Sequence, residues 1–159
     1  MKTLKTIKLE VPEKIIRDFQ AGAKAAFPRE YYGVLLGVDC GTKIELVDIY
    51  VPEDLDKFCT EKYVFFQEEW FVDAAEYGKE VGGTIVGDIH SHPYTKEYLK
   101  TVVQPLDCGP SETDLCRFPG WRGLTGLVII TESKKGRLSS RVFFWGPMIP
   151  VEARLKRER

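Results

Sequence analysis

From Gly82 to Pro93 the chain reads Gly-Gly-Thr-Ile-Val-Gly-Asp-Ile-His-Ser-His-Pro, and this stretch constrains the fold more than any other. Val81 to Ile89 ends in an apolar run, Thr84-Ile85-Val86, of the kind that forms a buried strand. That strand runs into the only two histidines of the chain, His90 and His92. Side chains at i and i+2 of a strand point to the same face, so two imidazoles held side by side at a strand end can bind one metal ion. Downstream, Ser111-Glu112-Thr113-Asp114 supplies a carboxylate for a third ligand. Two histidines, one carboxylate and a vacant fourth position make the ligand set of a catalytic zinc centre rather than a structural one.

The rest of the chain supplies a setting for such a strand. Leu4, Ile7 and Leu9 suggest a short opening strand. Pro12 suits the first turn of a helix, in which Ile15, Ile16, Phe19, Ala23 and Phe27 recur at helical spacing until Pro28. Tyr32 to Val38 is a compact apolar strand, Asp39-Cys40-Gly41-Thr42 a turn, and Lys43 to Val51 an alternating partner, which together predict a hairpin. Residues 52–62 are polar and irregular, and Tyr63 to Phe66 reads as another strand. Gln67 to Val81 reads as an amphipathic helix with Trp70, Phe71, Ala74, Ala75 and Tyr77, closed by Gly82-Gly83. Residues 93–110 read as a loop with one helical turn around Lys96 to Val102. Ser111 opens a short helix that Pro119-Gly120 ends, and Leu124 to Thr131 and Leu138 to Trp145 are two further strands. Helices interrupting strands in this order give an α+β fold, an α/β sandwich with a mixed central sheet flanked by helices. A chain of 159 residues fits one domain, taken here as residues 1–147, with 148–159 as a C-terminal tail.

Charge excludes one class of partner. The formal net charge is −1, and the basic residues gather at the ends (Lys2, Lys5 and Lys8; Arg154, Lys156, Arg157 and Arg159), where they read as solvated surface and a frayed tail. Nucleic-acid binding would need a basic stripe that is not there. Met1 to Glu10 has no apolar core of signal-peptide length, and no run approaches the roughly 18 apolar residues of a membrane span, so the expectation is a cytoplasmic protein without a membrane partner. Cys40, Cys59, Cys108 and Cys116 show no C-x-x-C spacing and read as reduced thiols; a local Cys108–Cys116 disulfide and a zinc site built from all four are the alternatives.

Hydrolysis at the zinc centre needs a proton acceptor that is not itself a ligand. Glu30, just before the strand at Tyr32, is the candidate; it would take a proton from a zinc-bound water and return it to the leaving amine. Ser111 would set its hydroxyl against the oxyanion that forms at the attacked carbonyl. Each piece also has a purely structural reading. An isolated H-x-H is compatible with two exposed imidazoles, S-x-x-D before a helix with a capping box, and Glu30 with a surface carboxylate. Asp88 falls on the face of His90, either to orient that ring or to meet solvent.

Together the blocks resemble the JAMM (MPN-plus, or JAB) metalloprotease family. Its signature, Pro-x-Glu-x-x-Gly-x-Leu-x-Gly, then His-Ser-His-Pro, then Pro-Ser-x-x-Asp, stands here as Pro28 to Gly37, His90 to Pro93 and Pro110 to Asp114. The resemblance implies the JAB/MPN, cytidine-deaminase-like architecture and one Zn2+ per chain on His90, His92 and Asp114. It also implies Glu30 as acid/base and Ser111 as oxyanion donor. Inactive relatives usually lose one or more of these residues and this chain loses none, which favours an enzyme. The implied activity is a deubiquitinase-like isopeptidase or endopeptidase acting after the C-terminal tail of a ubiquitin-like protein, with conjugation-system proteins as further partners. Compact prokaryotic relatives sit with ubiquitin-like conjugation, sulfur-carrier or antiviral systems. A small-substrate hydrolase of carrier-linked amino acids or dipeptides, and a non-catalytic MPN scaffold, are the alternatives. Two departures stand out: residues 93–110 lengthen the stretch between His92 and Ser111, and Asp88 stands where relatives often carry a bulky apolar or aromatic residue. The insertion, with Tyr94, Tyr98, Leu99, Val102 and Val103, suits a partner surface, whereas most aromatics of 53–71 suit core packing.

Overall fold

Ile7, Leu9 and Val11 alternate with Lys8 and Glu10 to form β1 (Ile7–Pro12), and Pro12 passes the chain directly into α1 (Glu13–Ala26). The computed structural model describes residues 6–101, 123–146 and 151–157. A hairpin follows α1: β2 (Tyr32–Asp39) and β3 (Lys43–Tyr50) pair antiparallel across a turn in which Gly41 takes a φ of +91°. After α2 (Leu55–Phe58) comes α3 (Glu68–Val81), ended by Gly82 at φ +82°. Then follow β4 (Thr84–Tyr94), α4 (Lys96–Thr101), β5 (Leu124–Glu132), β6 (Leu138–Trp145) and β7 (Val151–Lys156).

Among the described residues these strands make one seven-stranded sheet in the order β6-β5-β4-β2-β3-β1-β7. Pairing is mixed: β4 runs parallel to β5, and β1 parallel to both β3 and β7, while the remaining pairs are antiparallel. On one face Ile16, Phe19 and Ala23 of α1 pack with Leu9, Val11, Leu35, Ile89 and Val128. On the other, Trp70 and Ala74 of α3 cover Tyr32 and Val34. This is the α+β sandwich expected. No described helix is long and apolar enough to cross a membrane.

The sheet is curled by its own connectivity. Its outer strands, β6 and β7, are joined through residues 146–150 alone. Laid flat, strands about 4.8 Å apart would set the two edges about 29 Å from one another. The Cα steps from Trp145 to Val151 reach at most about 22 Å. The sheet therefore wraps around α1, and Gln20 on that helix donates from Nε2 to Ser140 Oγ on β6 at 3.0 Å.

Four sequence expectations change. Val151–Lys156 is not a frayed tail but pairs in parallel with β1, from Ile7↔Val151 to Pro12↔Lys156. Tyr63 to Phe66 forms no strand beyond one bridge, Cys59↔Val64; Phe66 turns its ring edge to Tyr32 at 4.9 Å, and Tyr63 and Phe65 are exposed. Ala75 lies on the exposed face of α3, not in the core. Finally, β4 carries both histidines as expected but does not give way to a loop at Pro93; it runs on to Tyr94.

Candidate metal centre

The site forms where β2 leaves β4. Antiparallel pairing between them ends at Tyr32↔His90, whereas on its other side β4 continues along β5 through Ser91↔Val128 and His92↔Ile129 to Tyr94↔Thr131. Pro93 fits within the strand because the chain beyond His90 has a ladder partner on one side only. Alternation sends Asp88, His90 and His92 to the face that α3 covers at Tyr32 and Val34, their register neighbours. Asp88 is 2% exposed, so its solvent-facing reading does not hold.

His90 Nε2 and His92 Nε2 lie 3.0 Å apart. Two nitrogens bound to one tetrahedral zinc at about 2.0–2.1 Å would be separated by about 3.3 Å. The two rings thus present their nitrogens at close to a ligating separation. A Glu30 carboxylate oxygen joins them, all three ligand atoms lying within 4.8 Å of one another. Among the described residues this is the group of histidine, cysteine and acidic side chains that could hold a metal. Glu30 and His90 are buried and His92 is half-buried, so the cluster opens to solvent on the His92 side. Two imidazoles with carboxylate oxygen suit zinc well, and the donor set fits the ion that the sequence implies.

Glu30 owes its place to backbone bonds. Its own N–H donates to the Thr60 carbonyl at 2.8 Å. The next residue, Tyr31, donates its N–H to Ser91 Oγ at 2.8 Å and accepts from Ser91 N–H at 2.9 Å. The Tyr31 ring packs on Phe19, centroids 5.0 Å apart, and lies over Gly22, where a Cβ would come within 2.5 Å of its oxygen. Burial raises the Tyr31 phenol above its ordinary value. Beside Glu30, burial pushes the Cys59 thiol up to about 12 and the Glu30 charge adds to the effect, so this thiol stays protonated near neutrality.

Of the predicted site residues, then, the structure brings Glu30, His90 and His92 together. Ser111 and Asp114 lie outside the described residues, as do Cys108, Cys116, Val102, Val103 and the helix expected from Ser111. In the described part of the insertion Tyr94 stacks on Tyr98 at 5.5 Å, and the Tyr94 ring stands edge-on to His92 at 6.4 Å. Phe58 and Phe66 pack on Trp70, as expected of core aromatics. Sequence reasoning missed Ser91, Thr60 and Gly22. Of these only Ser91 carried a signal, a hydroxyl at an inward position of a buried strand.

The sequence model of one family, the prokaryotic homologs of the JAB domain, matches residues 12–144. The chain belongs to this family. Among solved structures this JAB-family chain is similar to the solution structure of protein DSY2949 from Desulfitobacterium hafniense. The two are 17% identical, with 94% of this chain and 95% of that one covered and a TM-score of 0.55. At that identity the likeness shows the fold alone. No curated protein matches. Strand β7 lies outside the matched span, so the edge it adds to β1 extends the sheet beyond the family match.

Proposed function

We propose that this chain is a zinc-dependent isopeptidase or endopeptidase that hydrolyses the bond after the C-terminal tail of a ubiquitin-like protein. The observation that carries the reading is the convergence of Glu30, His90 and His92, three residues from two blocks far apart in sequence, within 4.8 Å. His90 and His92 would hold the ion with Asp114 as third ligand. A zinc ion so held supplies a Lewis acid that brings the pKa of water to roughly 7. Glu30, buried and fixed by its backbone, takes the proton from the attacking water and delivers it to the amine that leaves. Ser111 donates to the oxyanion of the attacked carbonyl. The stacked pair of half-buried Tyr94 and exposed Tyr98 beside His92 supports a protein substrate rather than a small one, since it offers an aromatic surface at the open side of the cluster.

The test is hydrolysis of fusions in which a peptide follows the tail of a ubiquitin-like protein, assayed with zinc and with a chelator. The parent should cleave only with metal. Glu30→Gln should keep its zinc and lose about 10²–10⁴-fold in turnover. Full activity of Glu30→Gln, or cleavage that survives chelation, would sink the proposal. Turnover of short carrier-linked dipeptides in preference to the fusions would move it to the small-substrate alternative.

A further inference from the structure

Ser91 stands between the two histidines, yet its side chain points to the opposite face of β4 and is fully buried. A hydroxyl withdrawn from water is costly unless bonded, and Ser91 Oγ accepts the Tyr31 N–H at 2.8 Å. The register makes that bond informative. Tyr32 pairs with His90 and Gly33 with Ile89, so Tyr31 comes opposite Ser91. A hydrogen-bonded antiparallel pair exchanges two backbone bonds. One is made here, from Ser91 N–H to the Tyr31 carbonyl at 2.9 Å, but the Tyr31 N–H goes to the side chain instead. The ladder is cut at this position and Tyr31 falls outside β2. One residue further back, the Glu30 N–H has turned to the Thr60 carbonyl.

We infer that Ser91 is a positioning residue: its hydroxyl diverts the Tyr31 N–H from the β2–β4 ladder and so sets Glu30 beside the two histidines, a role that rests on Glu30 being the proton carrier of the proposed reaction. The dipeptide Tyr31-Glu30 is pinned from both directions, by Ser91 below and Thr60 above. The Tyr31 ring, seated over Gly22, blocks rotation of the same segment. Without the hydroxyl, the acceptor that ladder pairing would give the Tyr31 N–H is the carbonyl of residue 91, and taking it would extend the ladder and draw Glu30 back toward β4. The histidines keep their places, since β5 holds that part of β4 on its own.

Ser91→Ala removes one oxygen atom from the full-length chain. Crystals of the zinc-loaded parent and variant should show the Glu30 carboxylate moved by more than an ångström relative to the two imidazoles in the variant alone, with Ser91→Thr regaining the parent position. Calorimetric zinc affinity should stay within about threefold of the parent. Against a ubiquitin C-terminal coumarin amide as probe, kcat should fall tenfold or more with KM within twofold. A Glu30 carboxylate that does not move in Ser91→Ala overturns the role, as does zinc affinity lost in step with turnover, which would make Ser91 a support of the ligands instead. A parent that binds zinc but never cleaves contradicts the proposed function, and the position of the Glu30 carboxylate still decides the role of Ser91.

Discussion

Gly87→Ala puts the placement of the histidine strand at risk, and its effect can be worked from distances. A Cβ on Gly87 would lie 2.0 Å from the Leu124 carbonyl oxygen, 2.7 Å from its carbon and 2.8 Å from the Leu124 Cβ. Comfortable carbon contacts fall at about 3.5–4.0 Å, so something must shift by more than about 1 Å. The obstacle is backbone, and it belongs to the first pair of a ladder that runs from Gly87↔Leu124 to Tyr94↔Thr131. Overpacking costs about 1–3 kcal/mol and occasionally more, offset by up to about 1 kcal/mol that alanine gains over glycine within a strand. Because a carbonyl cannot rotate away as a side-chain tip can, the net loss should be about 2–3 kcal/mol. For a chain of this size that lowers Tm by about 4–12 °C. Urea unfolding followed by circular dichroism measures it. Gly82→Ala is the control: its φ is +82° but nothing lies within 4 Å of the added methyl, so it should lose only about 1 kcal/mol through backbone strain. If Gly87→Ala is no less stable than Gly82→Ala, the β4–β5 register is wrong, and with it the position of both histidines.

Two further outcomes follow from buried groups. The Tyr31 phenol is held above its ordinary value of 10.0 by burial, so the folded chain binds that proton more tightly than the unfolded one. Its contribution to stability is complete below about pH 10 and is lost as pH rises through the folded value. The unfolding free energy of the parent should therefore drop more steeply above pH 10 than that of Tyr31→Phe; parallel curves would contradict the assignment. Cys59, buried and raised to about 12, should resist iodoacetamide at pH 8 in the native protein while exposed Cys40 reacts, as peptide mass spectrometry would show; equal labelling would mean that the segment around Thr60 is not packed against Glu30.

Much of this molecule was legible because its elements are locally consistent. The β2–β3 hairpin follows from two apolar runs and a glycine at the turn, and α3 ends where Gly82 permits a left-handed residue. The pair His90 and His92 was readable as a site because alternation along a strand is a property of the backbone. What escaped depended on partners distant in sequence. Val151, Ala153 and Leu155 alternate with Glu152, Arg154 and Lys156, a strand pattern visible in the sequence, but the charges read as a solvated tail until β1 was there to pair with it. Tyr63 to Phe66 has strand-like composition, yet the Phe66 ring is drawn to Tyr32 and Trp70 instead of to a ladder. Residues 93 and 94, read as the start of a loop, continue β4, and Pro93 is tolerated there because β2 no longer pairs beyond His90. The hold on Glu30 by Ser91 and Thr60 joins segments that no local pattern connects.

One divalent ion should sit between His90 and His92 with the Glu30 carboxylate alongside. Anomalous diffraction at the zinc edge from crystals of the full chain grown with stoichiometric zinc tests it directly. A single strong peak is expected at about 2.0–2.1 Å from both Nε2 atoms. A peak elsewhere in the molecule, or none at this cluster with the ion in excess, would contradict it.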